Sequence, residues 1–262
     1  MPATYTHAVF GQKVLMALDP ALRERIEKHR DLYDIGLHGP DILFFYHPLT
    51  ENPLKAKGYR MHNEPARSFF EGARQKIAAA EDPEAALIYI LGFINHFVLD
   101  SECHPLIAGF QKSSGLSHSE IESELDRALM KEQGLDPIRT RTTTHLHPSA
   151  SSGETIAPFF ECTGKEIVQA LRSMIFFLNL FVAPGRLKRG LIFFVMKRLG
   201  LYENLGGLVF NRQENPRCVS FTQQLQSHVD QMVVESVRLI HEYLDTLQET
   251  TPLDERYDED YE

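Results

Sequence analysis

The sequence predicts an all-α protein, a multi-helix bundle, on three observations. Apolar residues recur at helical spacing through most of the chain, and no stretch alternates as a half-buried strand would. Breaks at residues 36–40 and at Pro184-Gly185 divide the chain into segments of helix length. In order, residues 8–18 carry apolar positions at helical spacing and 20–29 continue with charged faces. Residues 41–46 are a short apolar run closed by His47-Pro48, and 53–60 read as a loop before a helix at about 65–80. Asp82 suits an N-cap and Pro83 a first helical position. The helix they start, running to about residue 102, is almost wholly apolar, which predicts a buried central helix. Ser117 is the expected N-cap of a helix over 118–133. Residues 135–158, rich in Thr, Ser, His and Pro, predict a long loop of the kind that serves as a lid. Helical patterning returns at 164–181, at 186–199 and, as a long amphipathic helix, at 221–247, with 204–216 irregular. Residues 1–250 are expected to form a single domain, and the acidic stretch 251–262 a disordered tail.

At 262 residues the chain is long enough to bury a sizeable core. Its formal net charge of -9 argues against a nucleic-acid duplex as partner. The cysteines Cys103, Cys162 and Cys218 are odd in number and match no zinc-thiolate spacing, so no disulfide framework is expected. The N-terminus has neither a basic region nor an apolar run of the secretory kind, giving a cytoplasmic expectation. The longest apolar runs are interrupted by Arg, Lys, Pro or Gly, and none reads as a transmembrane span. The twelve histidines are the first hint of metal chemistry.

That chemistry concentrates in the segment Gly92 to Pro105. His96, Asp100 and His104 are successively four apart, so on a helix they form one row. His118 and Glu122 repeat the spacing on the next helix. Imidazole nitrogen and carboxylate oxygen are zinc donors, and two such rows on adjacent helices suit a multinuclear site. The residues alone leave open a buried His96–Asp100 ion pair and a surface His118. Against this, Asp100 lies inside an apolar helix, where a carboxylate is costly without a cation.

The ordered set Thr6-His7-Ala8-Val9-Phe10-Gly11, Gly39-Pro40-Asp41-Ile42-Leu43-Phe44-Phe45, Met61-His62, the His96–Pro105 segment and His118-x3-Glu122 resembles the zinc-dependent phospholipase C family, whose fold is shared with the S1/P1 nucleases. The resemblance covers about residues 1–127. It implies a helical bundle of the phospholipase C / P1 nuclease type holding two or three Zn2+ ions. It further implies Asp41, His62, His96 and Asp100 on one ion, Asp100 bridging to a second with His7, and His104, His118 and Glu122 on another. Asp41 would also be the general base. Members of that family use the mature N-terminal residue, often Trp, as a further donor. This chain has no Trp, and a Pro2 amine freed by removal of Met1, or that of Met1 itself, would have to stand in its place. The expected activity is zinc-dependent hydrolysis of a phospholipid or small phosphodiester. The alternatives are a single-strand nuclease or nucleotidase on the same site, and a non-catalytic zinc-binding protein.

Other candidates carry less. His38 lies close enough in sequence to Asp41 to reach the pocket, His47 ends its segment, and Tyr46 and Tyr59 suit either a phosphate pocket or the core. His145 and His147 read as a solvated loop, and His228 and His241 as structural. The run 186–198 combines basic with apolar residues, which raises peripheral membrane contact. Its apolar positions do not clearly segregate to one face, which favours a core or lid helix.

Overall fold

The computed structural model describes residues 4–248 and 251–261. Among them the chain forms twelve α-helices and short 3-10 turns and no strand, as the periodicity predicts. The organising element is α6 (Pro83–Ser114). The Asp82 side chain accepts the Ala85 N–H at 3.0 Å, Pro83 opens the helix, and left-handed Gly115 ends it. It thus extends beyond the end expected near residue 102. Pro105 removes one backbone hydrogen bond, but the turns beyond it stay packed, with Ile107 buried and Phe110 stacked on Phe221 at 4.1 Å.

α6 is apolar on every side because other helices surround it. By length and hydropathy it is the one described helix that could cross a membrane, contrary to the sequence expectation that none could. However, 94% of its apolar window is buried inside the protein, which makes it a core helix. Phe97 shows the packing: its ring lies 5.8 Å from Phe70 of α5 (Arg67–Ala79), 5.7 Å from Tyr257 and 5.2 Å from Tyr261. Each fully buried side chain of this size contributes roughly 1.5–3 kcal/mol.

Four elements pack against the middle of α6. α1 (Thr4–Ala17) packs along it. α3 (Arg30–Gly36), which follows α2 (Pro20–Lys28), crosses it at Gly36 and Gly92. A Cβ on either glycine would collide with backbone of the opposing helix, so the approach requires both. Tyr33 fixes the junction: its hydroxyl donates to the Gly11 carbonyl at 2.8 Å and accepts from Asn95 at 3.0 Å. The apolar run at 41–46 is a 3-10 helix (Gly39–Phe45) laid over α6. α7 (His118–Glu132) returns beside it, capped by Ser117 as expected.

Several expectations need correction. Residues 53–60 are not a loop but lie in α4 (Pro53–His62), started by Pro53 and by Asn52, which accepts the Lys55 N–H at 2.9 Å. Only Leu54, Gly58 and His62 of this helix are buried, too sparse an apolar stripe to be read as a period. The long loop ends early, because Ser149 and Ser152 cap each other's backbone and start α8 (Ala150–Phe160). α9 (Gly164–Phe181), α10 (Arg186–Arg198), α11 (Tyr202–Leu205) and α12 (Val219–Gln248) complete the set. The described part of the acidic stretch, 251–261, is not a loose tail. Tyr257 and Tyr261 are buried against α5 and α6, Arg67 pairs with Asp258, and Arg238 pairs with Asp254 at 2.6 Å. Its charges have partners and its tyrosines supply the apolar area that composition hid. Cys103, Cys162 and Cys218 are free.

Candidate metal centre

His7 is fixed from its own N-terminal side. The Asp126 carboxylate of α7 accepts the Tyr5 N–H at 3.1 Å, the Thr6 N–H at 2.8 Å and the Thr6 hydroxyl at 2.7 Å. These are open amides of the first turn of α1, capped here by another helix. Burial pushes the Asp126 carboxyl up to about 7, against the pull of these hydrogen bonds. Asp41 is placed by Gly39, whose φ is 43° and where a Cβ would strike the His96 imidazole. His62 closes α4, and His96, Asp100 and His104 form the expected row on α6.

Asp100 is the hub. Its Oδ1 lies 3.1 Å from His7 Nε2 and 3.8 Å from His104 Nε2, and its Oδ2 lies 3.2 Å from His96 Nε2. Donor atoms of His7, Asp41, His96 and Asp100 all fall within 4.8 Å of one another, and so do those of His104, His118 and Glu122. In the second group Glu122 Oε1 stands 3.2 Å from His118 Nε2 and 3.6 Å from His104 Nε2. His62 joins through Asp41, its Nε2 at 3.0 Å from Asp41 Oδ1. The structure therefore brings all eight sequence-predicted residues together, from five elements. It sorts the donors into two groups, with His7 alongside Asp41 and His96, where the resemblance implied three sets. The N-terminal amine lies outside the described residues.

Two of the imidazoles have fixed roles. His62 Nδ1 meets the Gly58 carbonyl at 2.8 Å, and His104 Nδ1 meets the Tyr261 carbonyl at 2.6 Å. A carbonyl can only accept, so Nδ1 carries the hydrogen and Nε2 faces the cluster, the tautomer a metal-ligating histidine needs. Neither carbonyl was foreseeable from the sequence, because a backbone oxygen has no residue signature.

The electrostatics are those of a site short of positive charge. Burial works against the Asp100 carboxylate, yet His96, His104 and His7 hold it well below the usual range. Burial also opposes charge on His104, but Asp100 and Glu122 raise it to about 9. His7 is raised in the same way by Asp100. Burial dominates at His96 and lowers it to about 4. His96 Nε2, Asp100 Oδ2, His104 Nε2 and His118 Nε2 are buried and make no hydrogen bond among the described residues. Convergent nitrogen and oxygen donors whose hydrogen-bonding capacity is left open fit zinc.

His38 and His145 complete the surroundings. Their Nε2 atoms are 2.7 Å apart, and the His38 ring lies 6.1 Å from that of His7. Burial depresses both, His145 to about 4, so the contact is a neutral pair sharing one ring hydrogen. His145 is thus not the solvated loop residue its Thr-His-Leu-His setting suggests. Its neighbour His147 is exposed. His47 and Tyr59 lie outside the cluster, and His228 pairs with Glu102 at 3.2 Å on a different face of α6.

No curated protein and no solved structure matches the chain. Residues 6–173 match the family described as zinc-dependent phospholipase C. That span is more than half of the 262 residues and contains all eight clustered donors. With an all-helical fold built around this cluster, the chain belongs to the zinc-dependent phospholipase C family.

Proposed function

We propose that the protein hydrolyses a phospholipid at the phosphodiester bond to glycerol, using the cluster centred on Asp100. The observation that carries this reading is a pair of adjoining donor groups, His7, Asp41, His96 and Asp100 beside His104, His118 and Glu122, with Asp100 Oδ1 3.8 Å from His104 Nε2 across them. Zinc, when bound, lowers the pKa of water toward neutrality and offsets phosphoryl charge. His7, Asp41, His96 and Asp100 would hold one ion and His104, His118 and Glu122 another, with His62 oriented toward Asp41.

The chain's own residues handle the proton. Burial would raise the Asp41 carboxyl, but His62 and His96 keep it below its ordinary value, so it is ionised at neutral pH. Its Oδ1 faces His62, which leaves Oδ2 to accept the proton of the attacking water. Water oxygen bonds to phosphorus, the bond to the glycerol oxygen breaks, and that oxygen takes up a proton from solvent, to which Asp41 in turn gives up the one it accepted. The products are a diacylglycerol and a phosphorylated head group.

Lipid is favoured over nucleotide by what adjoins the site. Phe44, three residues after Asp41, packs its ring 5.1 Å from His62 and opens onto an apolar groove of about 610 Å³. The nuclease alternative has one feature in its favour, the half-exposed Tyr59 ring tilted on Phe44 at 4.6 Å, which a base could stack on. The deciding test is elemental analysis of the purified chain joined to a panel of short-chain phosphatidylcholine, bis(p-nitrophenyl) phosphate and single-stranded DNA. Hydrolysis of the lipid and the small diester is expected. Cleavage of DNA alone would leave the nuclease reading, and bound zinc with no hydrolysis of any member would leave a non-catalytic zinc protein.

A further inference from the structure

α10 lies beyond the family-matched segment and is built unlike the rest of the molecule. Only Ile192 and Met196 of this helix are buried, against a small second core with Phe181, Ala183, Leu208 and Val209. Its opposite side is also apolar. Leu187, Leu191, Phe194 and Val195 are exposed, Leu187 at 91%, and their spacing of i, i+4, i+7 and i+8 makes them one stripe. The apolar residues thus do not segregate to one face, as the sequence indicates, but form two stripes, one packed and one bare.

Charge distinguishes this face further. α10 carries Arg186, Lys188, Arg189, Lys197 and Arg198 and no acidic residue, in a chain of net charge -9. Arg189 is half-buried and donates to the carbonyls of Phe210 and Val209, but Arg186, Lys188, Lys197 and Arg198 are exposed along the helix. Cations bordering an exposed apolar stripe match an anionic lipid surface, where the stems follow the hydrocarbon and the charges stay among head groups.

The stripe is also continuous with the groove. Leu191, Val195 and Leu199 line it on one side, and Phe44 and Phe45, from the helix that carries Asp41, line it on the other. Glu51, the one acidic lining residue among the described residues, is paired with Lys55 at 2.9 Å. We propose that α10 docks the protein on an anionic phospholipid bilayer, with Leu187 and Phe194 inserted among the acyl chains and the groove receiving the hydrocarbon of the lipid whose phosphate lies at the metal centre. The groove's role rests on the phospholipase reading, whereas docking by α10 does not.

The test uses the full chain with sucrose-loaded vesicles of phosphatidylcholine alone or mixed with phosphatidylglycerol. Sedimentation should occur with the anionic vesicles and weaken as salt is raised. Leu187→Gln with Phe194→Gln touches neither groove nor metal centre, and both positions are exposed, so folding is preserved and is checked by circular dichroism. The double variant should lose vesicle binding by roughly 100-fold or more, from the apolar area it no longer inserts. It should keep wild-type turnover of a water-soluble phosphodiester. Undiminished vesicle binding by the variant, equal binding to neutral and anionic vesicles, or a dimer that the variant dissolves without any lipid binding would each overturn the proposal. Vesicle binding by a protein that hydrolyses no phosphodiester would sink the phospholipase reading and leave the docking surface standing.

Discussion

Replacing Asp100 with Asn tests the centre most directly, since this carboxylate touches three imidazoles and lies between both donor groups. Asn has nearly the same shape, so packing around α6 is kept while a negative charge and one donor are removed. A four-ligand structural zinc site is worth about 10–16 kcal/mol, so one of four donors corresponds to roughly 2.5–4 kcal/mol. That is a loss of zinc affinity on the order of 100- to 1000-fold for the ion that depends on Asp100, with a smaller effect on its neighbour. The assay is competition against a chelator of known zinc affinity, with metal content measured after dialysis. Thermal melts with and without EDTA separate metal loss from fold damage, because a ligand that binds only the folded state raises its stability by mass action. The wild type should lose much of its melting temperature to EDTA and D100N far less. A variant that keeps full zinc content, resists the chelator as the wild type does and hydrolyses phosphodiesters at the same rate would show that Asp100 is no metal ligand.

Three further outcomes follow from the geometry. Gly39→Ala places a methyl group against the His96 ring in a left-handed backbone conformation, and should cost roughly 3 kcal/mol or more in urea unfolding along with zinc content; an unperturbed variant would mean the segment Gly39–Phe45 is not held there. His104, raised to about 9 by Asp100 and Glu122 after burial has opposed it, carries a proton at neutral pH in the zinc-free protein. Zinc binding should displace that proton and its apparent affinity should rise with pH up to about 9, measured by calorimetry in buffers of different ionisation heat; binding without proton release would remove His104 from the ligand set. Asp126, with a folded pKa of about 7 above its ordinary value, binds more protons folded than unfolded between the two, so its contribution to stability falls as pH rises through that window and is level above it. Asp126→Asn keeps an acceptor oxygen and should gain in urea midpoint relative to the wild type between pH 5 and 8; an unchanged difference would refute the shift.

The helices were legible wherever burial on one or all sides left a period or a cap, as for α6, with Asp82 and Pro83 at its start. α4 is hard to read from sequence because three buried residues in ten positions leave little pattern. The order of residues 251–261 is hidden from composition, which weighs charges, whereas Tyr257 and Tyr261 are placed by long-range packing on Phe97. Within the site, the row His96, Asp100 and His104 could be derived from helical spacing alone. Its meeting with His7, Asp41 and His62 could not, because those residues arrive on three other elements and only the family resemblance linked them. His145 stayed invisible because its partner, His38, is 107 positions away.

The location of the cluster argues against a purely structural origin for these side chains. Residues 85–101 of α6 are buried without interruption, and a packed core gains nothing from the carboxylates gathered there: Asp100 on α6 and Asp41 and Glu122 from neighbouring elements are all buried. Imidazoles alone do not account for the arrangement either. A salt-bridge network accounts for His7 and His104, which Asp100 raises, but not for His96, which burial leaves neutral at physiological pH although its Nε2 stands 3.2 Å from Asp100 Oδ2. The fold instead spends two glycines on bringing α3 against α6, a left-handed turn at Gly39 on bringing Asp41 over His96, and the Asp126 cap on fixing His7. Five elements are thus constrained at one point where, without a cation, the local charges are less stable than an apolar core would be.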